Sequence, residues 1–443
     1  VHLNFSGHYR GINELEKVGL SGRLLNTIFV GQMMGVDAIA AVSVYFPILF
    51  LLLAFIIGIS TGTTVLVGQA WGAQDIEKVQ SVVGSTLFMT IIGGIITAII
   101  GVFFAHDILE LLGTDPKVMH LSLPYVQWML AGSPLLFVYI IYTSILRGVG
   151  DSTTPLLALA LTSVIGVIIT PILLKGYFGF PALGIIAPAI ASIISYIAIL
   201  IFLAIYLNKK KHPLRPNRQL LQHIRHNSAL SKIILRLGVP TGIQMITTSM
   251  AGLVIVGLVN RFGAHATAAY GAVNQVLNYI QFPAISISIA ASIFAAQAIG
   301  AGKSDLLARV TRTALGMNFL FTGALIALGY LFSKYLMALF ITDPTVVVLG
   351  QQLLFIVLWA ILFFGAGAIF ASIMRASGTV TVPMLINISA ILFIEMPCAY
   401  WFSSMWGLKG IWVAYALAFV SLCIIQGLYY QFIWKKKKIK VLI

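Results

Sequence analysis

The chain has 443 residues, of which 60% are hydrophobic and only 9% charged, and its mean hydropathy is +1.01. A soluble domain carries roughly 25% charged residues, so a soluble globular protein is excluded, and the apolar excess excludes a disordered chain as well. Long unbroken apolar runs such as IIGGIITAIIGVFFA at 91–105 rule out an outer-membrane barrel, whose strands alternate apolar and polar residues; an all-α polytopic membrane protein remains.

A membrane-spanning helix needs about 20 mainly apolar residues. Taken along the chain, that criterion predicts spans at 38–68, 82–105, 121–146, 154–174, 183–207, 237–259, 264–298, 310–333, 346–373, 381–404 and 409–434. A twelfth should end near Met34, but residues 1–25 contain Glu14, Glu16, Lys17 and Arg23, which are expensive in hydrocarbon. That stretch has no apolar core of the signal-peptide kind. Net charge is +15, and the basic residues gather at 209–236 and 435–440, both flanking apolar runs. They read as loops facing anionic lipid, with no call for nucleic acid. With those clusters and both termini in the cytoplasm, the outer loops hold only Lys117, Lys175, Arg261, Lys334 and Lys409 of the 27 basic residues. That bias supports twelve spans in a plasma (inner) membrane.

A shift of 228 residues lays the chain on itself. GVDAIAAVSV from Gly35 falls on GAHATAAYGA from Gly263, and Gln69-Ala70 and Gly72-Ala73 fall on Gln297-Ala298 and Gly300-Ala301. Ser144, Ile145, Arg147, Gly150, Thr153 and Pro155 fall on Ser372, Ile373, Arg375, Gly378, Thr381 and Pro383. Gly179 falls on Gly407, and a two-residue slip brings Gly184-Ile185 onto Gly410-Ile411. The shift joins segments six spans apart, an even number. The halves are therefore parallel repeats about an axis along the membrane normal, with a cavity between two six-helix lobes. This predicts an N-lobe at 1–208, a basic linker at 209–232, a C-lobe at 233–434 and a basic tail at 435–443.

Ile28-Phe29-Val30-Gly31 followed by Gly35 and Ala40-Ala41, the run Leu146-Arg147-Gly148-Val149-Gly150-Asp151 with Pro155, and Gln297-Ala298-Ile299-Gly300-Ala301-Gly302-Lys303 together resemble the MATE (multidrug and toxic compound extrusion) family of the multidrug/oligosaccharidyl-lipid/polysaccharide flippase superfamily. The resemblance runs from about Asn26 to about residue 434. It implies a V-shaped pair of six-helix lobes and export of organic, often cationic, compounds driven by inward H⁺ or Na⁺. Two departures stand out. The family's first helix is apolar throughout, unlike residues 1–25. Proton-coupled members carry an Asp where this chain has Asn26, and an amide cannot exchange a proton.

Polar groups inside spans are costly and usually face a cavity. Asn274, Asn278, Gln281, Ser288 and Ser292, with Ile285, fall within about 40° of one line on a helix. By the 228 shift, the first three correspond to Phe46, Phe50 and Leu53, so the stripe belongs to the C-lobe. Gln244, Thr247 and Thr248 add a second patch. They read either as the wall of the central cavity or as interhelical contacts worth under ~2 kcal/mol each. Glu395 is the one acid well inside a span, about 18 Å of helix beyond Pro383. Asn387 shares its broad face, and Pro397 loosens the helix beside it. Desolvation favours its neutral form and wetting its ionised one, which is the chemistry of an ion-coupling carboxyl; the alternative is a structural ion pair. A sodium site there would want about six oxygens.

Arg147 and Arg375 occupy equivalent loop positions, either as interface anchors or as clamps of a closed gate. Tyr45, Tyr139, Tyr142 and Trp359 suit either planar cations or packing. Cys398 and Cys423 sit in apolar stretches and read as buried hydrophobes. No GxxxxGK[ST] loop, catalytic triad or metal-ligand cluster appears in the sequence. The sequence therefore predicts no enzyme, no cofactor beyond a coupling H⁺ or Na⁺, and no metal. The expected protein is a monomeric secondary-active exporter of small cationic or neutral compounds, working by alternating access. The rivals are a lipid-linked oligosaccharide flippase on the same plan, which needs cationic residues in the cavity, and a channel.

Overall fold

The computed structural model describes residues 33–443, so Asn26 and the polar stretch at 1–25 lie outside the described residues. Ten helices are long and apolar enough to cross a bilayer, and an eleventh crossing is a bent pair. In chain order they are α1 (Asp37–Gly72), α2 (Ile76–Phe103), α3 (Pro116–Ala131 with Ser133–Gly148), α4 (Thr153–Lys175), α5 (Gly184–Lys209), α6 (Ser228–Asn260), α7 (Ala264–Gly300), α8 (Leu306–Leu331), α9 (Pro344–Ala376), α10 (Thr381–Trp406) and α11 (Leu408–Lys436). No strand occurs among the described residues. A helix satisfies its own backbone, which hydrocarbon cannot do. Large side chains such as Phe103, Leu253 and Phe393 stay more than 70% exposed, the pattern of a chain whose outer surface is solvated by lipid.

The duplication seen in the sequence is written into the backbone. Residues 153–175 of α4 and 116–148 of α3 fall at the 228 shift on residues of α10 and α9. Gly35 and Gly263 precede α1 and α7 with nearly the same left-handed dihedrals, φ 87° and ψ −172° against φ 89° and ψ 176°. Gln74 and Gly302, and Gly150 and Gly378, likewise share positive φ at equivalent turns. Even the irregularity recurs. The two halves of α3 meet at 46° beside Gly132, and α9 tightens into a 3₁₀ turn over the equivalent Leu358–Ala360. In α3, Ser133-Pro134 follows the break, and proline supplies no backbone N–H to continue a helix from Gly132. α2 closes on that corner: a Cβ on Gly94 would lie 2.7 Å from the Pro134 Cα.

Two compact units result, one ending at Gly242 and the other beginning at Ile243. In the first unit the opening of α6 docks on α1 through two small-residue motifs, Gly58-x₃-Gly62 and Gly238-x₃-Gly242. A Cβ on Gly58 would meet the Gly238 carbonyl oxygen at 2.6 Å, and one on Gly238 would meet the Gly58 oxygen at 2.7 Å. Such close backbone approach is how helices associate where lipid is as apolar as the side chains.

The basic linker at 209–232 also packs with this unit. The buried Tyr142 hydroxyl donates to the Leu214 carbonyl at 2.6 Å. Asn217 caps the short helix Arg218–His223 by accepting from the Leu220 N–H at 2.8 Å. That helix lies against α2 at Gly84, where a side chain would collide with the His223 carbonyl. The second unit has its own core, built on Val273, Val276, Leu353, Ile361, Ile411 and Trp412 from α7, α9 and α11.

Candidate functional site

Within the second unit, α7 turns its apolar positions, among them Ala269, Val273, Val276, Leu277 and Ile280, into the core. The opposite face carries the polar stripe: Asn278 is exposed, and Asn274, Gln281 and Ser292 are half-buried. Ser288 turns inward and donates to the carbonyl of Ile285 at 2.7 Å. The stripe therefore lies on the face that the second unit's own packing leaves open. Gln244 is half-buried near the start of this unit, and Thr248 donates to its carbonyl at 2.9 Å. Thr247 bonds back to Ile243 in the same way, at 3.0 Å. Each hydroxyl keeps an acceptor lone pair for another partner.

Glu395 ends a π-helical turn, Ile391–Glu395, inside α10. Pro397 explains that turn. It cannot donate to the carbonyl of Phe393, and its ring crowds that carbonyl, so the helix widens just ahead of it. The carboxyl is only 8% exposed, and no hydrogen bond or ion pair reaches it among the described residues. Tyr415 of α11, the helix that follows, packs against the core of the same unit. The Tyr415 hydroxyl lies 3.0 Å from that of Tyr270 on α7. Trp412 packs against both rings, at 5.2 Å from Tyr270 and 5.5 Å from Tyr415, and its Nε1–H has no partner. Two turns before Glu395, the Asn387 Oδ1 is sealed without a donor. Gln426 of α11 donates to the Pro383 carbonyl at 3.0 Å, leaving its own Oε1 unpaired. The interior of this unit thus gathers one acid, two phenols, an indole N–H and two unpaired amide oxygens.

The aromatic and basic candidates of the first unit are placed differently. Tyr45 is buried edge-on to Tyr125 at 6.0 Å, and Tyr139 is buried and stacked on Tyr196 at 5.6 Å. Arg147 donates to the Ser144 hydroxyl oxygen at 2.7 Å, which also accepts from Ser60 at 2.6 Å. The equivalent residues around Arg375 do not repeat this network. Ser372 donates to Ile369 and Ser288 to Ile285, each within its own helix, and Arg375 is half-buried at the end of α9.

Tyr270, Trp412, Tyr415 and Gln426 were passed over in the sequence because an aromatic or a single amide in an apolar run reads as packing. The one signal was Glu395 itself, whose neighbours on the next helix must be polar somewhere. A search for His spacing also passes over His106, Asp107 and Glu110, whose ligand atoms lie within 4.8 Å of one another on an exposed turn. Exposed acidic groups of this kind are ordinary surface, and they carry no assignment.

Spans, repeat and buried acid together define a polytopic α-helical membrane protein of duplicated, transporter-like build. A family model described as MatE matches it twice, over residues 20–172 and 240–401, and the chain belongs to that family. The two matches fall one on each repeat. The chain is 45% identical over 434 residues to the "Probable multidrug resistance protein YoeA" of Bacillus subtilis, covering 97% of this chain and 93% of that one. It is 26% identical over 391 residues to the "FAD transporter" of Shewanella oneidensis, covering 88% and 86%. Among solved structures, the Vibrio cholerae MATE transporter VcmN in the bent form superposes with a TM-score of 0.88 at 20% identity, over 96% of this chain and 95% of that one.

Proposed function

We propose that this protein is a secondary-active multidrug exporter of the plasma membrane. It carries small organic cations or neutral compounds outward in exchange for H⁺ or Na⁺, with Glu395 as the coupling carboxyl. Both ends and the basic linker face the cytoplasm, as the distribution of Lys and Arg requires. The names of its relatives supply the export of drugs. The sequence repeat supports two like-oriented halves of the kind that rock in alternating access.

The observation that carries the coupling role is a buried carboxyl in a span with no ion pair among the described residues. A structural ion pair would need a cation beside it. An unpaired buried acid is stable as the neutral acid when dry and releases its proton when wetted. Each conformational exchange between a dry and a wet surrounding therefore moves one proton. The open polar stripe of α7 supplies hydrogen bonds to cargo without fixed charge, which suits varied cationic or neutral compounds better than phosphate-bearing ones. The protein works as a monomer, uses no bound cofactor and performs no covalent chemistry.

The experiment is efflux of ethidium from inverted or proteoliposomal vesicles under an imposed pH gradient, for wild type and Glu395→Gln. Gln keeps shape and hydrogen bonding but not titration, so proton-driven flux should fall at least about ten-fold, or 1.4 kcal/mol. Unchanged flux would remove Glu395 from the mechanism. The name of the Shewanella relative favours a second reading, an anionic nucleotide-like cargo. Export of flavin nucleotide in the same vesicles, without export of dye, would select it.

A further inference from the structure

The second unit carries a cavity of about 670 Å³, away from Glu395. Its walls come from the first turns of α7, with His265, Ala268, Gly271 and Gln275, and from the turn before α9, with Phe340 and Asp343. His265 and Gln275 are exposed and Asp343 is half-buried, so the cavity is an open groove on the surface of this unit. Among the described residues, Asp343 and His265 are the charged or titratable groups that line it.

Asp343 caps α9. One of its carboxylate oxygens accepts from the Thr345 hydroxyl at 2.7 Å and from the Thr345 N–H at 2.8 Å. These bonds, the hydroxyl foremost, hold the carboxyl below the ordinary range, so it is anionic at any physiological pH. His265 Nδ1 lies 3.9 Å from its other oxygen. The Asp343 carboxylate and the Phe340 side chain line the same groove.

The first repeat provides a comparison. Thr114-Asp115-Pro116 repeats the Thr342-Asp343-Pro344 corner, and Asp115 caps its helix in the same way. Where the second repeat has His265, Gly271 and Gln275, the first has Asp37, Ser43 and Pro47. The capping acid belongs to the architecture; the histidine and the amide are particular to the second repeat.

We propose that this cavity is a separate binding site for monovalent organic cations, with Asp343 as counter-ion and Phe340 as aromatic wall. A single carboxylate beside an aromatic face suits a soft cation with an apolar body. A bare divalent ion would demand more oxygens than the site offers. On the orientation proposed above, the cavity lies at the outward end of the C-lobe, where cargo pauses after leaving the centre. That station role rests on the export reading, whereas the binding does not.

The test uses the full chain in nanodiscs, with Cys398 and Cys423 replaced by Ala and the Gln275→Cys substitution made to report on the cavity. Saturating tetraphenylphosphonium at pH 8 should slow maleimide labelling by about ten-fold, as for a site nine-tenths occupied. Asp343→Asn should abolish the protection, since Asn retains the cap but not the charge. Gly271→Trp should slow labelling without any cation, because a Cβ there meets no atom within 4 Å and the indole fills the cavity. A Lys303→Cys reporter at the far end of α7 should show no protection. Unprotected Gln275→Cys, or protection that survives Asp343→Asn, overturns the site. Protection without dye efflux overturns only the export reading; dye efflux without protection overturns only this one.

Discussion

The hydroxyl of Tyr270, on the first helix wholly within the second unit, lies 3.0 Å from that of Tyr415 on its last. It is a polar contact between the buried Tyr270 and the half-buried Tyr415, whose helix follows the one that carries Glu395. Either hydroxyl can be the donor, so the pair keeps one further O–H for a neighbouring group. Tyr415→Phe keeps the ring against Trp412 and removes that link. The expected result is a loss of about 1 kcal/mol of stability, the usual net worth of a hydrogen bond, with proton-driven efflux slowed several-fold. Efflux equal to wild type would separate the phenols from coupling.

The polar stripe of α7 gives a prediction in which stability is unchanged. Asn278 is exposed, so Asn278→Leu removes no packing and should leave the thermal unfolding midpoint within a degree or two of wild type. Dye efflux should nevertheless drop, because a hydrogen-bonding wall has become apolar. If instead the midpoint falls and transport per folded molecule is unchanged, the asparagine is interhelical glue.

The docking of α6 on α1 leaves no room for a methyl group. Gly58→Ala and Gly238→Ala each place a Cβ under 3.0 Å from a backbone carbonyl, and backbone cannot rotate away. Each should cost about 1–3 kcal/mol through forced helix separation, measured as a lower unfolding midpoint in detergent. Gly257→Ala, at a position with no atom within 4 Å, serves as the control and should be neutral.

The linker supplies a pH dependence. Burial is the main cause that lowers the pKa of His212, helped by the charge of Lys210 and opposed by Asp151. Geometry agrees, since its Nδ1 accepts the Leu214 N–H at 3.2 Å and cannot do so once protonated. The docked linker therefore binds fewer protons than the free one, and docking strengthens as pH rises. It should be complete above the ordinary imidazole value of about 6.5 and be lost as pH falls through the lowered value. Hydrogen exchange over 210–226, corrected for intrinsic rates, should quicken between pH 8 and pH 5.5. His212→Asn, which can still accept that N–H, should flatten the difference. Equal protection at both pH values would contradict this account.

The spans were legible because each is an apolar run too long for anything but a bilayer, and all eleven predicted crossings recur as described helices. The repeat was legible because Gly35, Gly150 and their partners occupy positive-φ turns that few other residues tolerate. Glu395 stood out by cost alone. Its surroundings did not, since Tyr270, Trp412 and Tyr415 carry polar tips on apolar bodies and match the packing aromatics beside them. The break in α3 and the π turn at Glu395 were hidden for a related reason: Pro134 and Pro397 announce a disturbance but not its form. Nothing in the composition of 209–232 revealed that a basic, proline-broken stretch would be strapped to α2, because the contacts are made by Tyr142 and Gly84, far away in sequence.

The claim beneath all of this is that the two halves cross the membrane the same way up. Single cysteines at Lys209, Lys436 and Lys117, in the cysteine-free chain in intact cells, test it with an impermeant maleimide. The account predicts that Lys117→Cys reacts from outside while Lys209→Cys and Lys436→Cys react only after permeabilisation. Labelling of Lys209→Cys and Lys436→Cys from opposite faces would contradict it.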